Sequence, residues 1–205
     1  MTSQIFRFSE CKANLLALPS VRKIVQSATF KNRVLAIVLF LMTTVSINAQ
    51  VPMEALIGQS LSKIQQSDPS TILNCVAELK RIDAMFPDSV QPKYQMALQS
   101  LVYAVSNPRA EQTNNLITET EQTISQMEKM KQADLSDICT LRGFLDMVRI
   151  VQNPPQNGQR YYLSVLQNFE KALKLNPENA LAKQLQQKFQ DGMKQAMQAS
   201  PNVNN

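Results

Sequence analysis

The sequence predicts an all-α fold, a stack of about seven helices arranged as antiparallel hairpins. From residue 52 onward, apolar residues recur at intervals of three and four almost without a break, and strict alternation is absent. Glycine is scarce, at 4 of 205 residues, and Trp is absent, a poor supply for β-rich folds with many tight turns. The chain also repeats itself. Tyr103-Ala-Val-Ser-Asn-Pro108 returns as Arg149-Ile-Val-Gln-Asn-Pro154 at an offset of 46, which lays Leu98 on Phe144, Leu101 on Met147 and Val102 on Val148. At an offset of 45, Ile124, Met127 and Met130 fall on Phe169, Ala172 and Leu175. A helical hairpin cannot bury both of its faces alone, so a hairpin that recurs is expected to stack on its copy.

Helix one is placed at about 53–66 by Leu56, Ile57, Leu61 and Ile64. Asp68-Pro69 supplies an N-cap and a first-turn proline for helix two, about 70–86. Pro87-Asp88-Ser89 breaks the chain before helix three, about 91–105, with Tyr94, Leu98, Leu101, Val102 and Val105. Asn107-Pro108 opens the connection to helix four, about 111–131. Asp134 can cap helix five, about 135–152, whose apolar set wraps more than one face, the pattern of a helix buried between neighbours. Asn153-Pro-Pro-Gln-Asn-Gly158 is expected to be a loop, followed by helix six at about 160–175 with Tyr162, Leu166, Phe169, Ala172 and Leu173. Asn176-Pro177 is expected to cap helix seven, about 178–197, carrying Leu181, Leu185, Phe189 and Met193, and residues 199–205 form a flexible tail.

Formal charge is +5, which in a folded domain would suggest a nucleic-acid or membrane-surface partner. Its location removes that reading. Residues 1–49 hold six basic residues and one acid; taking the six from 21 and the one from 16 leaves fifteen of each sign in 50–205. No nucleic-acid partner is expected. Lys31 and Arg33 precede an apolar run from Val34 to Ile47, then Asn48-Ala49-Gln50, the layout of a secretory signal peptide. Fourteen residues make roughly 21 Å of helix, short of the ~30 Å hydrocarbon core. Residues 1–49 are therefore a leader with its apolar stretch at 34–47, either cleaved after Ala49 or retained as an anchor. Both outcomes place the remainder outside the inner membrane, in the periplasm or beyond. No Cys follows the run, so the leader is not a lipoprotein signal. Cys75 and Cys139 each sit in an apolar helical stripe, separated by two helices, and are expected to be buried free thiols.

Phe169-Glu-Lys-Ala172-Leu-Lys-Leu-Asn-Pro177-Glu-Asn-Ala180-Leu-Ala182 resembles the junction between consecutive tetratricopeptide (TPR) repeats, where an aromatic is followed three residues on by Ala and five further by Pro. Leu79-Lys-Arg-Ile82-Asp-Ala-Met-Phe86-Pro87 is a weaker copy, and Ala133 stands where the middle junction would have Pro. The resemblance spans 53–198, is specific over 169–182, and is to small exported bacterial TPR-like proteins with degenerate repeats. It implies a right-handed α-solenoid over 50–198 and a non-enzymatic module that binds a protein or peptide in the cell envelope. In such stacks the first helix of each hairpin lines a concave surface. Helix three would contribute Lys93, Gln99 and Tyr103 to that groove and helix five Arg142, Asp146 and Arg149, with Arg able to clamp a carboxylate through paired donors. The bland alternative is Arg–Asp–Arg pairing along a solvated helix face.

Chemistry is thinly supplied. Histidine is absent, which excludes histidine metal sites, Ser–His–Asp triads and Cys–His dyads. Glu119 and Glu121 point to different sides of one helix, and Asp134 and Asp137 lie in a first turn where carboxylates favour the macrodipole. No catalytic residue, metal ligand or cofactor is expected. Tyr161-Tyr162 beside Arg160 is either a recognition edge or, for Tyr162, core at helical spacing with Tyr161 covering a neighbouring hairpin. A second functional reading is a structural envelope component that self-assembles through Leu181, Leu185, Phe189 and Met193 instead of closing the stack with them.

Overall fold

A computed structural model of the protein describes residues 52–65 and 67–199. The expected leader, with its apolar run at 34–47, and all but the first residue of the expected tail lie outside the described residues. Seven α-helices follow one another: α1 Met53–Leu61, α2 Pro69–Met85, α3 Val90–Ser106, α4 Thr113–Met127, α5 Leu135–Gln152, α6 Pro154–Leu175 and α7 Ala180–Ala199. No strand occurs among the described residues, so this part of the chain is all-α. None of these helices is long and apolar enough to cross a membrane.

Two of the predicted caps are in place. Asp68 Oδ1 accepts from the Ser70 amide at 3.0 Å with Pro69 opening α2, and Asp134 Oδ1 accepts from the Ser136 amide at 2.6 Å at the start of α5. Each satisfies one of the donors that a helix N-terminus leaves unpaired. Three boundaries differ from expectation. α1 stops at Leu61, because the chain turns to let Thr71 Oγ1 accept from the Gln65 amide at 3.0 Å and donate to the Asp68 carbonyl at 2.6 Å. α4 is shorter than 111–131 at both ends.

The largest correction concerns 153–158, which is helix and not loop. Pro154 and Pro155 occupy the first two positions of α6, where a missing N–H costs nothing and a preset φ helps. Asn157 secures the turn by donating its side-chain amide to the Arg149 carbonyl at 2.6 Å. α5 and α6 are thus joined through Asn153 alone. The cap of α7 is also displaced. Pro177 lies outside the helix, and Asn179 caps it by accepting from the Ala182 amide at 3.0 Å.

Side-chain contacts fix the helix directions. Ser136 reaches the Ala172 carbonyl, Asp146 meets Ser164 and Arg149 meets Tyr161, so positions rise along α5 as they fall along α6 and the two are antiparallel. Asp83 with Lys93, and Ile72 and Val76 with Tyr103, give the same sense to α2 and α3. α5 is the central element. It packs on α3, α4, α6 and α7, and Leu141, Leu145 and Val148 are fully enclosed, as its all-round apolar pattern predicted. Gly143 permits a close approach of α6 to α5: a Cβ there would stand 2.8 Å from Cε1 of the fully buried Phe169.

The internal repeat is visible at two helix ends. Asn107 closes α3 at φ −130°, ψ 58° and Asn153 closes α5 at φ −149°, ψ 78°, similar non-helical angles, and each amide returns to the carbonyl four residues back, Tyr103 at 2.9 Å and Arg149 at 3.4 Å. The paths then part. Pro108 leads into an open connection, whereas Pro154 begins α6 at once. Cys75 and Cys139 are free and buried.

Candidate functional site

The six residues expected to line a groove are dispersed over several internal contacts. Lys93 is 7% exposed; its ammonium donates to Asp83 Oδ1 at 2.6 Å and to the Pro87 carbonyl at 2.8 Å, tying α2 to α3. Tyr103 is 5% exposed and packs with Ile72, Val76 and Leu116, so neither side chain faces a ligand. Gln99 is half-buried on α3. Arg142 and Arg149 both reach across to α4. Arg142 pairs with Glu128 at 2.7 Å and Arg149 with Glu121 at 2.8 Å. Asp146, 8% exposed, accepts from Arg149 at 3.1 Å and from Ser164 Oγ at 2.6 Å. Burial acts to lower the Arg149 pKa, yet its hydrogen bonds and the charge of Glu121 outweigh that and hold it above the ordinary arginine range. Arg142 therefore pairs between helices and not with Asp146; Arg149 does both.

The tyrosine pair has a different arrangement from either expectation. Tyr161 is half-buried with two guanidiniums over its ring, Arg149 at 5.3 Å and Arg160 at 5.1 Å from the centroid. Tyr162 is not core; it is 37% exposed and leans on Phe189 with ring centroids 5.7 Å apart. The buried stripe of α6 is instead Val165, Phe169 and Ala172.

An apolar cleft opens where α7 passes the corner between α5 and α6. Leu185 and Phe189 on α7 are buried against the main core. Beyond Phe189, α7 leaves a gap of about 390 Å³ bordered by Met147, Ile150, Val151 and Pro154 on one side and by Gly192 and Met193 on the other. A contiguous hollow of about 450 Å³ continues over Gly158, Tyr162 and Leu163. Leu163 is 60% and Val151 38% exposed. Lys188 lines the first of these hollows, Lys194 lines a smaller adjoining one with Tyr162, Phe189 and Met193, and among the described residues no Asp or Glu lines any of the three.

Compared with protein families, with curated proteins and with solved structures, the chain matches none.

Two polar clusters are structural in form. Asn179 Nδ2 donates towards Ser136 Oγ, Asp137 Oδ1 and Thr140 Oγ1 at 2.9–3.2 Å, while Ser136 Oγ donates to the Ala172 carbonyl at 2.8 Å. This network bolts α5, α6 and α7 together. Burial raises the Asp137 pKa, the charge of Asp134 adds to it, and the Asn179 bond opposes it. Across from them on α3, burial and then the charges of Asp137 and Asp134 push the Tyr94 hydroxyl up to about 12. The second cluster lines a polar hollow of about 240 Å³ between α2, α3 and α4, where Lys80 and Glu119 pair at 2.6 Å and the buried Thr120 hydroxyl makes no hydrogen bond among the described residues. Among the described residues no group of three or more Cys, Asp or Glu is placed to hold a metal.

Sequence reasoning missed the cleft, Ser164 and Asn179. A signal for the cleft was present: the apolar face of α5 includes Met147, Ile150 and Val151, more surface than the stripe of a helix starting at 160 could cover. Asn179 carried no signal, since Asn176-Pro177 is the stronger local cap pattern.

Proposed function

We propose that the chain is an exported, non-enzymatic helical repeat module of TPR-like, right-handed solenoid form that binds a protein in the cell envelope. The apolar cleft at the α5–α6–α7 corner carries the binding part of this reading. It is apolar surface that the described residues leave uncovered, whereas the charged residues of the expected groove are largely taken up in internal pairs. The solenoid form is supported by the contacts of α3 with α5 and of α5 with α7, the helix-to-next-but-one packing that stacked hairpins require, and by the matching Asn107 and Asn153 ends. Export rests on residues 31–49 of the sequence.

The test is photo-crosslinking in the native host, with a photoreactive residue placed in separate variants at Leu163, at Gln99 and at Lys131, which is exposed in the turn that follows α4. The expected result is a discrete protein adduct from Leu163, unchanged by an Arg142/Arg149→Ala pair. No adduct from any of the three positions would overturn the binding reading. N-terminal sequencing of the same material is expected to begin at Gln50, or to find the uncut chain in the membrane; uncut chain in the cytosol would overturn export.

A further inference from the structure

From the cleft, and resting on the protein-binding reading above, we infer that its occupant is an amphipathic helix of a partner protein whose apolar stripe is flanked by carboxylates.

Shape argues for a helix. The α7 wall from Lys188 to Ala196 covers eight residue steps, about 12 Å, room for two turns of a helix laid alongside it. The opposite wall is formed by the α5 end and the first turns of α6, so the gap lies between helices, the usual setting for an added helix that inserts side chains at i, i+3 or i+4 and i+7.

Two glycines argue for close approach. Gly158 and Gly192 both line the cleft, and a Cβ at either would meet nothing within 4 Å. Neither has a positive φ, so neither is demanded by its backbone. A glycine inside a helix costs about 0.5–1 kcal/mol relative to alanine. Gly143 justifies that cost through Phe169; Gly158 and Gly192 meet nothing among the described residues and, unlike the equally open Gly58, they line one apolar cleft. An outside backbone seated in the cleft would justify the cost at both.

Charge selects the partner. Lys188 has no carboxylate within 4 Å among the described residues, and Lys194 has only Asp191 at 3.9 Å. Asp146 and Arg149, behind the cleft on α5, are taken up by Ser164 and Glu121 and by each other, and neither lines it. A second copy of this chain would set against the cleft another surface of the same kind, whose lining carries Lys188 and no Asp or Glu to meet it. An acidic helix meets the lysines with the opposite sign.

The experiment uses the full-length chain and two labelled synthetic helical peptides with the same leucine stripe, one flanked by Glu and one by Lys, read by fluorescence anisotropy. The Glu-flanked peptide is expected to bind about tenfold or more tightly than the Lys-flanked one, a difference typical of charge complementarity at an interface rim. Gly192→Leu should weaken it at least about tenfold with no loss of thermal stability, because the added side chain fills the cleft and not the core. Lys188→Glu should reverse the preference between peptides. Gly58→Ala, at an open helical glycine in α1, should leave binding unchanged. Equal affinity for the two peptides, no binding of either, or full binding to folded Gly192→Leu would overturn the assignment. So would sedimentation showing an oligomer that Gly192→Leu converts to monomer, which would give the cleft to a second copy. These failures are separable from failure of the binding reading, since crosslinked adducts from Gln99 or Lys131 would survive them.

Discussion

At the scale of single residues, two positions are governed by what surrounds them and not by their own chemistry. Gly143 is glycine because α6 comes so close that a methyl group would press on the Phe169 ring at 2.8–3.1 Å, and Phe169 is enclosed and has nowhere to move. Gly143→Ala is therefore expected to destabilise by about 1–3 kcal/mol in chemical denaturation, the cost of overpacking, although alanine is the better helix former. Asp137 is a carboxyl whose native pKa lies above its unfolded value of about 3.9 because of burial and the neighbouring Asp134. The native state holds that proton where the unfolded chain has released it. The contribution is fully present below about pH 4 and is lost as the pH rises through the native pKa. Asp137→Asn keeps an acceptor for Asn179 and should flatten this part of the stability–pH curve, measured by denaturation from pH 4 to 7.

At the scale of elements, the decisive feature is that α6 starts at Pro154. Two extra turns bring Tyr161 beneath Arg149 and leave Leu163 beside the cleft; a helix starting at 160 would have neither contact built on a rigid first turn. The paired arginines on α5 then differ in worth. Arg142 and Glu128 are each more than a third exposed, so Arg142→Ala should cost no more than about 1 kcal/mol, the range of surface ion pairs. Arg149→Ala should cost more, about 1–3 kcal/mol, because it strips a partner from buried Asp146. Parallel thermal melts of the two variants check the ordering, and equal losses would contradict it.

At the scale of the molecule, burial is uneven from one end of the described chain to the other. α5 buries ten residues and touches four other helices, whereas α1 buries only Ile57 and Ser60 and rests on α2. Native-state hydrogen exchange is expected to be slowest in α5 and fastest in α1, with α7 protected more strongly around Ala182–Phe189 than beyond Met193, since local opening follows the apolar contacts that must be broken. The helical class, the helix count and the caps at Asp68 and Asp134 were legible because they rest on periodicity and on neighbours one to three residues away. The site was less legible. Lys93, Tyr103 and Asp146 were read as groove residues, but each meets a partner on another helix or in the turn before its own, and no spacing rule reports such contacts.

Local sequence was sufficient for the all-α class, the order of the helices and the two buried thiols, because helix formation and the placement of an apolar stripe depend on residues within one or two turns. The distribution of polar work among those helices followed from packing. Which arginine meets which glutamate, why Asn179 and not Asn176 caps α7, and where an apolar surface is left open all depend on distances between elements far apart in the chain. Such distances are set by side-chain volumes in contact, as at Gly143 and Phe169, and they exist only once the helices have closed on one another.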